Sequence, residues 1–492
     1  MAIFPNALGR SYVASNPITD QEFTMNLFLE KSESKGATAP ITMIRNPGLE
    51  DWCQVEKVGF RALWEMNGRC FGVVQDTLYE FTFPAEIGTA TSRGTVATDN
   101  NPATISTNGA GGNQLFITSG GNGYNYNLST NTLTQIAALN GLATMGDYLG
   151  GYFLAFDLET STVYFSDLLD GTTWDPTNYF QRTNQPDAWQ AMKVTSWQYI
   201  VLPGQYSGEM WYANGGFPLP FAPDPSGNFN KGIAATFSIT NAGGACVWLS
   251  VNQDGDYEVV QASGLQPSRI SDFALERELS TIARTSDLDD AIGESMRFEG
   301  HTWYRLTLPT ANVTKQFDFT NGFWTDVGTW IAEDSEFTYY RPVHYAFAFG
   351  KHLIGDRESG FLYEMNEDGH EDIESRPIRW VRRTPAIVSE QREVFHKKLT
   401  ILMDTGVAAH TGHAHTGEAP VLMLRYSDDG GKTWGNEITS EVGEQGAYGT
   451  LVWFWQLGMA RNRVYELSGT SSIPWKITQT YLEAEAAQEA LA

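Results

Sequence analysis

Cysteine is scarce. The 492 residues hold only Cys53, Cys70 and Cys246. The set is odd in number and lacks CxxC spacing, which argues against a disulfide scaffold and against a thiolate metal site. A reducing cytoplasm is the expected place of synthesis. Positive charge is also short: 32 Lys and Arg face 58 Asp and Glu, a net of −26. Phosphate contacts need a basic surplus, so a general nucleic-acid binder is excluded. Anionic lipid would repel such a surface, and no apolar run reaches membrane-spanning length, so no membrane partner is expected. Met1 to Asn16 has one Arg and no apolar core, so no signal peptide is expected. P-loop, GxSxG and HExxH patterns are missing, and Gly109-Ala-Gly-Gly and Gly120-Gly-Asn-Gly read as turns between strands. No enzyme activity, no catalytic residue and no cofactor are expected.

What is present is apolar and aromatic. Hydrophobic residues make up 41% and charged residues 18%, the reverse of a disordered chain. The 15 Trp and 21 Tyr suit pleated, half-buried surfaces, and 48 Gly with 20 Pro supply many turns, so the composition points to an all-β protein. At about 150 residues per domain the length suits roughly three domains, or fewer if one is built from repeats.

Repeats are visible. Short apolar runs are followed by a turn and a second run alternating around an aromatic. Examples are Cys70-Phe-Gly-Val-Val before Thr77-Leu-Tyr-Glu-Phe, and Gly151-Tyr-Phe-Leu-Ala-Phe before Thr162-Val-Tyr-Phe. With Tyr79, Tyr126, Tyr164, Tyr212, Tyr257, Phe317 and Tyr363 as anchors, the steps are 47, 38, 48, 45, 60 and 46 residues. That spacing matches propeller blades of roughly 40–50 residues. The expectation is a six- or seven-bladed β-propeller, with a string of hairpins in stacked sandwiches as the competing arrangement. Phe273, Leu275, Leu279 and Ile282 stand at partly helical spacing behind Ser271 or Asp272 as N-cap, so the long step is read as an inserted helix.

The expected division places the propeller at residues 51–374 and a C-terminal β-sandwich-like domain at 375–482. Residues 1–50 are an N-terminal arm or part of the C-terminal domain, and 483–492 a flexible tail. Arg376, Arg379, Arg382 and Arg383 form a locally basic run, expected either to pair with Glu371, Asp372 and Glu374 on a solvated strand or to meet an acidic neighbour or a DNA end.

Ser427-Asp-Asp-Gly-Gly-Lys-Thr-Trp434 fits the Asp-box pattern S-x-D-x-G-x-T-W. Ser427, Asp429, Gly431, Thr433 and Trp434 are expected to build a structural turn: the carboxylate bonds turn amides, the Gly takes positive φ and the Trp packs on the sheet. Ser166 to Trp174 is a looser relative. Sialidases carry such boxes, so a sialidase-like glycosidase or a carbohydrate-binding propeller is the alternative reading. It would need an arginine cluster, an acid and a Tyr nucleophile that cannot be assigned here. His410, His413 and His415 are the metal-ligand candidates, but the surrounding Gly and Thr read as an ordinary polar loop and no metal is expected. Asn252-Gln-Asp-Gly-Asp256 and Asn366-Glu-Asp-Gly369 lack a distal Glu and read as tight turns.

Several stretches together resemble the packaged-DNA stabilisation protein, or tail hub (nozzle), of short-tailed podovirus-type bacteriophages. They are Ser166-Asp-Leu-Leu-Asp-Gly-Thr-Thr-Trp-Asp-Pro, Asn184-Gln-Pro-Asp-Ala, Glu209-Met-Trp-Tyr, Asn230-Lys-Gly-Ile-Ala-Ala, Phe298-Glu-Gly-His-Thr-Trp-Tyr, Phe317-Asp-Phe-Thr-Asn-Gly-Phe-Trp, Tyr426-Ser-Asp-Asp-Gly-Gly-Lys-Thr-Trp and Gln456-Leu-Gly-Met-Ala-Arg-Asn-Arg-Val-Tyr-Glu. The resemblance runs from about residue 160 to 485 and is looser over the first 150. It implies a virion protein of the phage tail, made in the host bacterial cytoplasm, that forms a homohexameric ring extending the DNA exit channel. Implied partners are the portal and head-tail adaptor proteins, a tail needle or tip, and tailspikes or fibres. Genomic double-stranded DNA would pass through the lumen without sequence-specific binding, past an acidic wall.

Overall fold

Apolar runs split by Gly, Asn and Asp fold as antiparallel hairpins throughout the computed structural model, which describes residues 2–3, 7–16, 20–32, 41–84, 87–109, 111–367, 369–389, 392–404, 420–443, 449–471 and 475–486. Contacts divide the chain into two compact units, one of residues 51–312 and 340–364, the other of 1–50, 313–339 and 365–492. This division differs from a linear split of the chain, because residues 313–339 group with the terminal segments. No helix among the described residues is long and apolar enough to cross a membrane.

In the first unit seven sheets follow one another among the described residues. The first runs through Phe60–Met66, Arg69–Val74, Thr77–Thr82 and Thr89–Thr95, each strand beside the next. Its first turn is Asn67-Gly68, both at positive φ (53° and 76°), the backbone that a two-residue hairpin matched to strand twist requires. The second sheet is Thr104–Thr107, Gln114–Ser119, Asn122–Asn127 and Thr132–Gln135; the third is Met145–Leu149, Tyr152–Asp157, Thr162–Phe165 and Tyr179–Gln181. The fourth is Lys193–Val194, Tyr199–Pro203, Gly208–Ala213 and Phe221–Pro223; the fifth is Thr240–Ala242, Ala245–Val251, Tyr257–Ala262 and Ser268–Arg269. The sixth contributes the hairpin Ile292–Phe298 with His301–Leu308, and the seventh Pro342–Ala348, Lys351–Asp356 and Phe361–Asn366. Six of the aromatic anchors lie on third strands of these sheets. The remaining one, Phe317, lies on Val313–Asp318 in the other unit.

Hydrogen bonds link each sheet to the next and close the circle. Ala103 N donates to Arg61 O at 2.8 Å, and Gly146 N to Thr104 Oγ1 at 2.8 Å. Val194 N donates to Asp147 Oδ2 at 3.0 Å, and Asn241 Nδ2 to Val194 O at 2.8 Å. Tyr304 Oη donates to Ser238 O at 2.9 Å, and His344 Nδ1 lies 3.3 Å from Glu294 Oε2. Gly59 N then reaches back to Ser359 O at 2.9 Å, joining the seventh sheet to the first. A sheet with two apolar faces cannot bury both alone; circular stacking buries them between neighbours. One core spans sheets three to five and includes Trp189, Trp211 and Trp248, all with almost no exposure. Fully buried Glu209 accepts from Asn184 N (2.8 Å), Gln185 N (2.7 Å) and the Trp211 indole (3.0 Å), so its charge is held by donors rather than left bare. The inserted helix is Phe273–Ile282, with Asp272 Oδ1 capping Leu275 N at 2.9 Å. Leu275 and Leu279 face the core; Phe273 is exposed and lies under the Arg269 guanidinium instead.

The second unit is built on two large sheets, beside the short pair Glu371–Asp372 and Arg376–Pro377. One orders Leu27–Lys31, Ile41–Arg45, Lys476–Ala486, Val394–Asp404 and Thr450–Ala460, with Ala2–Ile3 also paired to Lys476–Ala486. The other contains Val313–Asp318, Phe323–Ile331, Gln21–Met25, Trp380–Arg383, Asn462–Gly469, Val421–Ser427 and Ile438–Glu441 in that order. Leu29, Ile401, Phe454 and Ile477 from the first pack with Leu422, Leu424, Tyr465 and Leu467 from the second, the alternating inward pattern of a sandwich. Residues 1–50 supply four of these strands. Arg382, without exposure, donates to Glu22 Oε1 (2.6 Å), Ala7 O (2.6 Å) and Arg10 O (3.0 Å), tying the N-terminal segment to the sheet. Residues 483–486 continue the strand begun at Lys476, with Glu485 beside Phe395, so they are ladder rather than loose tail.

Candidate functional site

The Asp-box turn sits at the end of strand Val421–Ser427. Asp429 Oδ1 accepts Lys432 N and Thr433 N, both at 2.9 Å, and its Oδ2 accepts Thr433 Oγ1 at 2.6 Å. Ser427 Oγ donates to Asp429 at 2.7 Å and accepts from Gly431 N at 2.8 Å. Gly431 takes φ +87°, and Trp434 Nε1 donates to Gly431 O at 3.1 Å. The Thr433 hydroxyl and amide, with Ser427, hold the Asp429 carboxyl far below the ordinary carboxylate range. A carboxylate so stabilised is a turn clip; it is neither acid nor base at neutral pH. The second turn repeats the design: Asp170 accepts Thr172 N (2.9 Å) and Thr173 Oγ1 (3.0 Å), and Trp174 Nε1 donates to Gly171 O at 2.9 Å.

Three arginines gather around the Asp box, and each is consumed. Arg383 and Arg425 both pair with buried Glu466 and lie 4.8 and 4.9 Å from the Trp434 ring centroid. Arg463 makes a two-pronged pair with Asp428 at 2.6 and 2.7 Å. A sialidase would need arginines free to meet a substrate carboxylate, whereas these three bind protein carboxylates within the sandwich unit.

The basic run is likewise internal. Arg376 pairs with Glu374 at 2.7 Å, as local pairing expects, but Arg379 stacks on Trp330, Arg382 is buried on Glu22, and Arg383 serves Glu466. The solvated, locally paired arrangement holds at Arg376 and is corrected for Arg379, Arg382 and Arg383, whose partners come from distant segments. His410, His413 and His415 lie outside the described residues. Among the described residues no group of three or more His, Cys, Asp or Glu is placed to hold a metal ion.

The surface the sequence reading missed is on the six-stranded sheet that contains Thr450–Ala460. Val452 and Phe454 point inward, while Trp453 (46% exposed) and Trp455 (58%) point outward. Leu451, Met459 and Phe395 extend the exposed stripe, with Phe395 opposite Met459 and Lys398 opposite Trp455 across the ladder. Lys398 Nζ sits 4.3 Å from the Trp455 ring centroid and 5.2 Å from that of Trp453. Exposed aromatics in one contiguous patch are the usual anchors of protein–protein contacts. The period-2 signal was present in Val452-Trp-Phe-Trp, but all four residues are apolar, so inside and outside read alike.

A family model described as bacteriophage P22 Gp10, beta-propeller, matches residues 15–370, and one described as bacteriophage P22 Gp10, beta-sandwich, matches residues 379–485. No curated protein matches the chain. Among solved structures, the N-terminal domain of Nup159 is similar at 9% identity and TM-score 0.40, over 70% of this chain and 98% of that one. The WD40 domain of coronin from Toxoplasma gondii is similar at 9% identity and TM-score 0.36, over 70% of this chain and 87% of that one.

Proposed function

The chain belongs to the bacteriophage P22 Gp10 family, a structural phage family whose members stabilise packaged DNA, and on that premise we propose that it acts as a tail hub or nozzle. In this reading six copies form a ring that extends the DNA exit channel below the portal and its adaptor. The ring carries the tail needle or tip and the tailspikes or fibres. Retention of DNA is geometric: a stiff wall narrows the exit until ejection. The observation that carries the reading is the family match over both segments, 15–370 and 379–485, on a chain whose sheets close in a circle. Mutually locked sheets make a rigid brick, and the outward Trp453 and Trp455 are suited to anchor a neighbouring subunit. The net charge of −26, where it lines a lumen, keeps a polyanion from sticking. Synthesis in the host bacterial cytoplasm accords with three buried, unpaired cysteines. Sedimentation and electron microscopy of the purified protein test the proposal: it requires a six-fold ring, and a strictly monomeric protein that never joins a tail contradicts it.

A further inference from the structure

We propose that the groove of about 650 Å³ between the outer strands of the second sheet and the Asp170 turn of the third is a binding site for a neutral oligosaccharide. The inference does not rest on the family assignment.

Local geometry builds the groove. Strands Asn122–Asn127 and Thr132–Gln135 pair with Asn125 opposite Thr134 and Asn127 opposite Thr132. Directly opposed residues share a face, so these four side chains form one polar grid. Tyr124 and Tyr126 alternate to the other face and pack into the core between sheets one and two. Facing the grid is the turn that carries Thr172, Thr173 and Trp174. The Trp174 ring lies against Phe116 at 5.1 Å, and its indole N–H is committed to Gly171 O.

Every residue lining the groove is uncharged, in a chain of net −26. Phosphates, carboxylates and cations therefore find no counter-charge there. The hydrogen-bond inventory is more specific. The Thr172 and Thr173 hydroxyl protons are spent on Asp170 at 2.7 and 3.0 Å, and Thr132 Oγ1 donates to Thr130 Oγ1 at 3.0 Å. These oxygens keep lone pairs for a ligand that brings O–H donors. Asn127 Oδ1 accepts Ser129 N and Thr130 N at 2.9 and 3.0 Å, which fixes the side chain and turns its half-buried amide N–H groups into donors at the groove wall. A ligand oxygen placed there accepts from them. A ligand with paired donor and acceptor oxygens and no charge is a polyol. Exposed Ala137 and Ala138 add apolar surface for the C–H face of a pyranose ring. The volume falls within the roughly 300–1,000 Å³ of small-ligand sites. An extended peptide, the other neutral donor–acceptor ligand, would instead pair its main chain along the edge strand Thr132–Gln135 rather than lie on its face.

The test is saturation-transfer NMR of the full chain with maltotriose, cellotriose, raffinose and triacetylchitotriose, each at about 10 mM, a concentration that detects millimolar affinity. At least one sugar should show transfer, and Thr134→Trp, which fills the groove from an exposed position, should weaken it about tenfold or more without changing the melting temperature. If Thr134→Trp lowers the melting temperature, Thr172→Lys on the exposed turn serves as the blocking variant. Absence of transfer from all four sugars overturns the proposal. So does binding that survives a folded blocking variant, or transfer to a neutral Ser/Thr-rich peptide and to no sugar.

Discussion

Arg383 Nη2 donates to Glu466 Oε2 at 2.7 Å, while Arg425 Nε holds the other oxygen at 2.6 Å, so one buried carboxylate joins strands on both sides of Asn462–Gly469. Removing the carboxylate leaves two guanidiniums unpaired. Breaking a fully buried pair costs about 3–5 kcal/mol, but these arginines keep 21% and 33% of their side chains exposed and can rehydrate. Glu466→Ala is therefore expected to cost about 2–3 kcal/mol, and Arg425→Met, which leaves the Arg383 pair intact, about 1 kcal/mol. Urea denaturation followed by tryptophan fluorescence measures both. Equal losses would contradict the shared-carboxylate account.

His396 is buried, with Nδ1 2.9 Å from Tyr465 Oη and Nε2 without a partner. Burial, then nearby Arg463, pushes its pKa down to about 4, against a smaller opposing pull from Asp428. The folded value lies below the unfolded one, so its contribution is fully present above about pH 6.5 and is lost as pH falls toward 4. Between pH 7.5 and 5 the wild type should lose on the order of 1 kcal/mol more than His396→Gln, whose side chain does not titrate. Urea midpoints at the two pH values give the comparison; parallel losses would refute it.

The three thiols are buried and unpaired. Burial pushes Cys70 and Cys246 up to about 12, so almost no thiolate exists at pH 8. Native protein should leave both unlabelled by a maleimide over hours, and all three thiols should react in denaturant. Rapid native labelling of Cys70 or Cys246 would show that the circle of sheets opens easily.

Trp453→Glu and Trp455→Glu place charge on an exposed face and leave the inward Val452 and Phe454 untouched. Both variants should keep the wild-type melting temperature within about 2 °C, as surface changes do, yet shift the sedimentation profile toward monomer. Unchanged assembly by both variants would remove this stripe from the subunit interface.

Much of the fold was legible because its signals are local. Asn67-Gly68 and Gly150-Gly151 mark turns, Tyr79 to Tyr363 recur with blade spacing, and Ser427 to Trp434 closes within one loop. What escaped is non-local. Arg382 meets Glu22 across 360 positions, and Lys476–Ala486 pairs with Ile41–Arg45, so a sandwich shared by the two ends was open to the sequence only as one of two alternatives for residues 1–50. The hairpin Val313–Ile331 follows the same logic, since Asn26 Nδ2 reaches Gly328 O at 2.7 Å. The basic run looked like a surface feature because the carboxylate partners of Arg379, Arg382 and Arg383 are remote in sequence.

The central claim, that this chain is a wall component of a phage tail, is tested most directly by cryo-electron microscopy of the assembled particle. The account predicts six copies around the DNA exit channel, each with its circle of sheets intact. A particle in which the chain is absent from the tail, or present as an isolated monomer away from the channel, would contradict it.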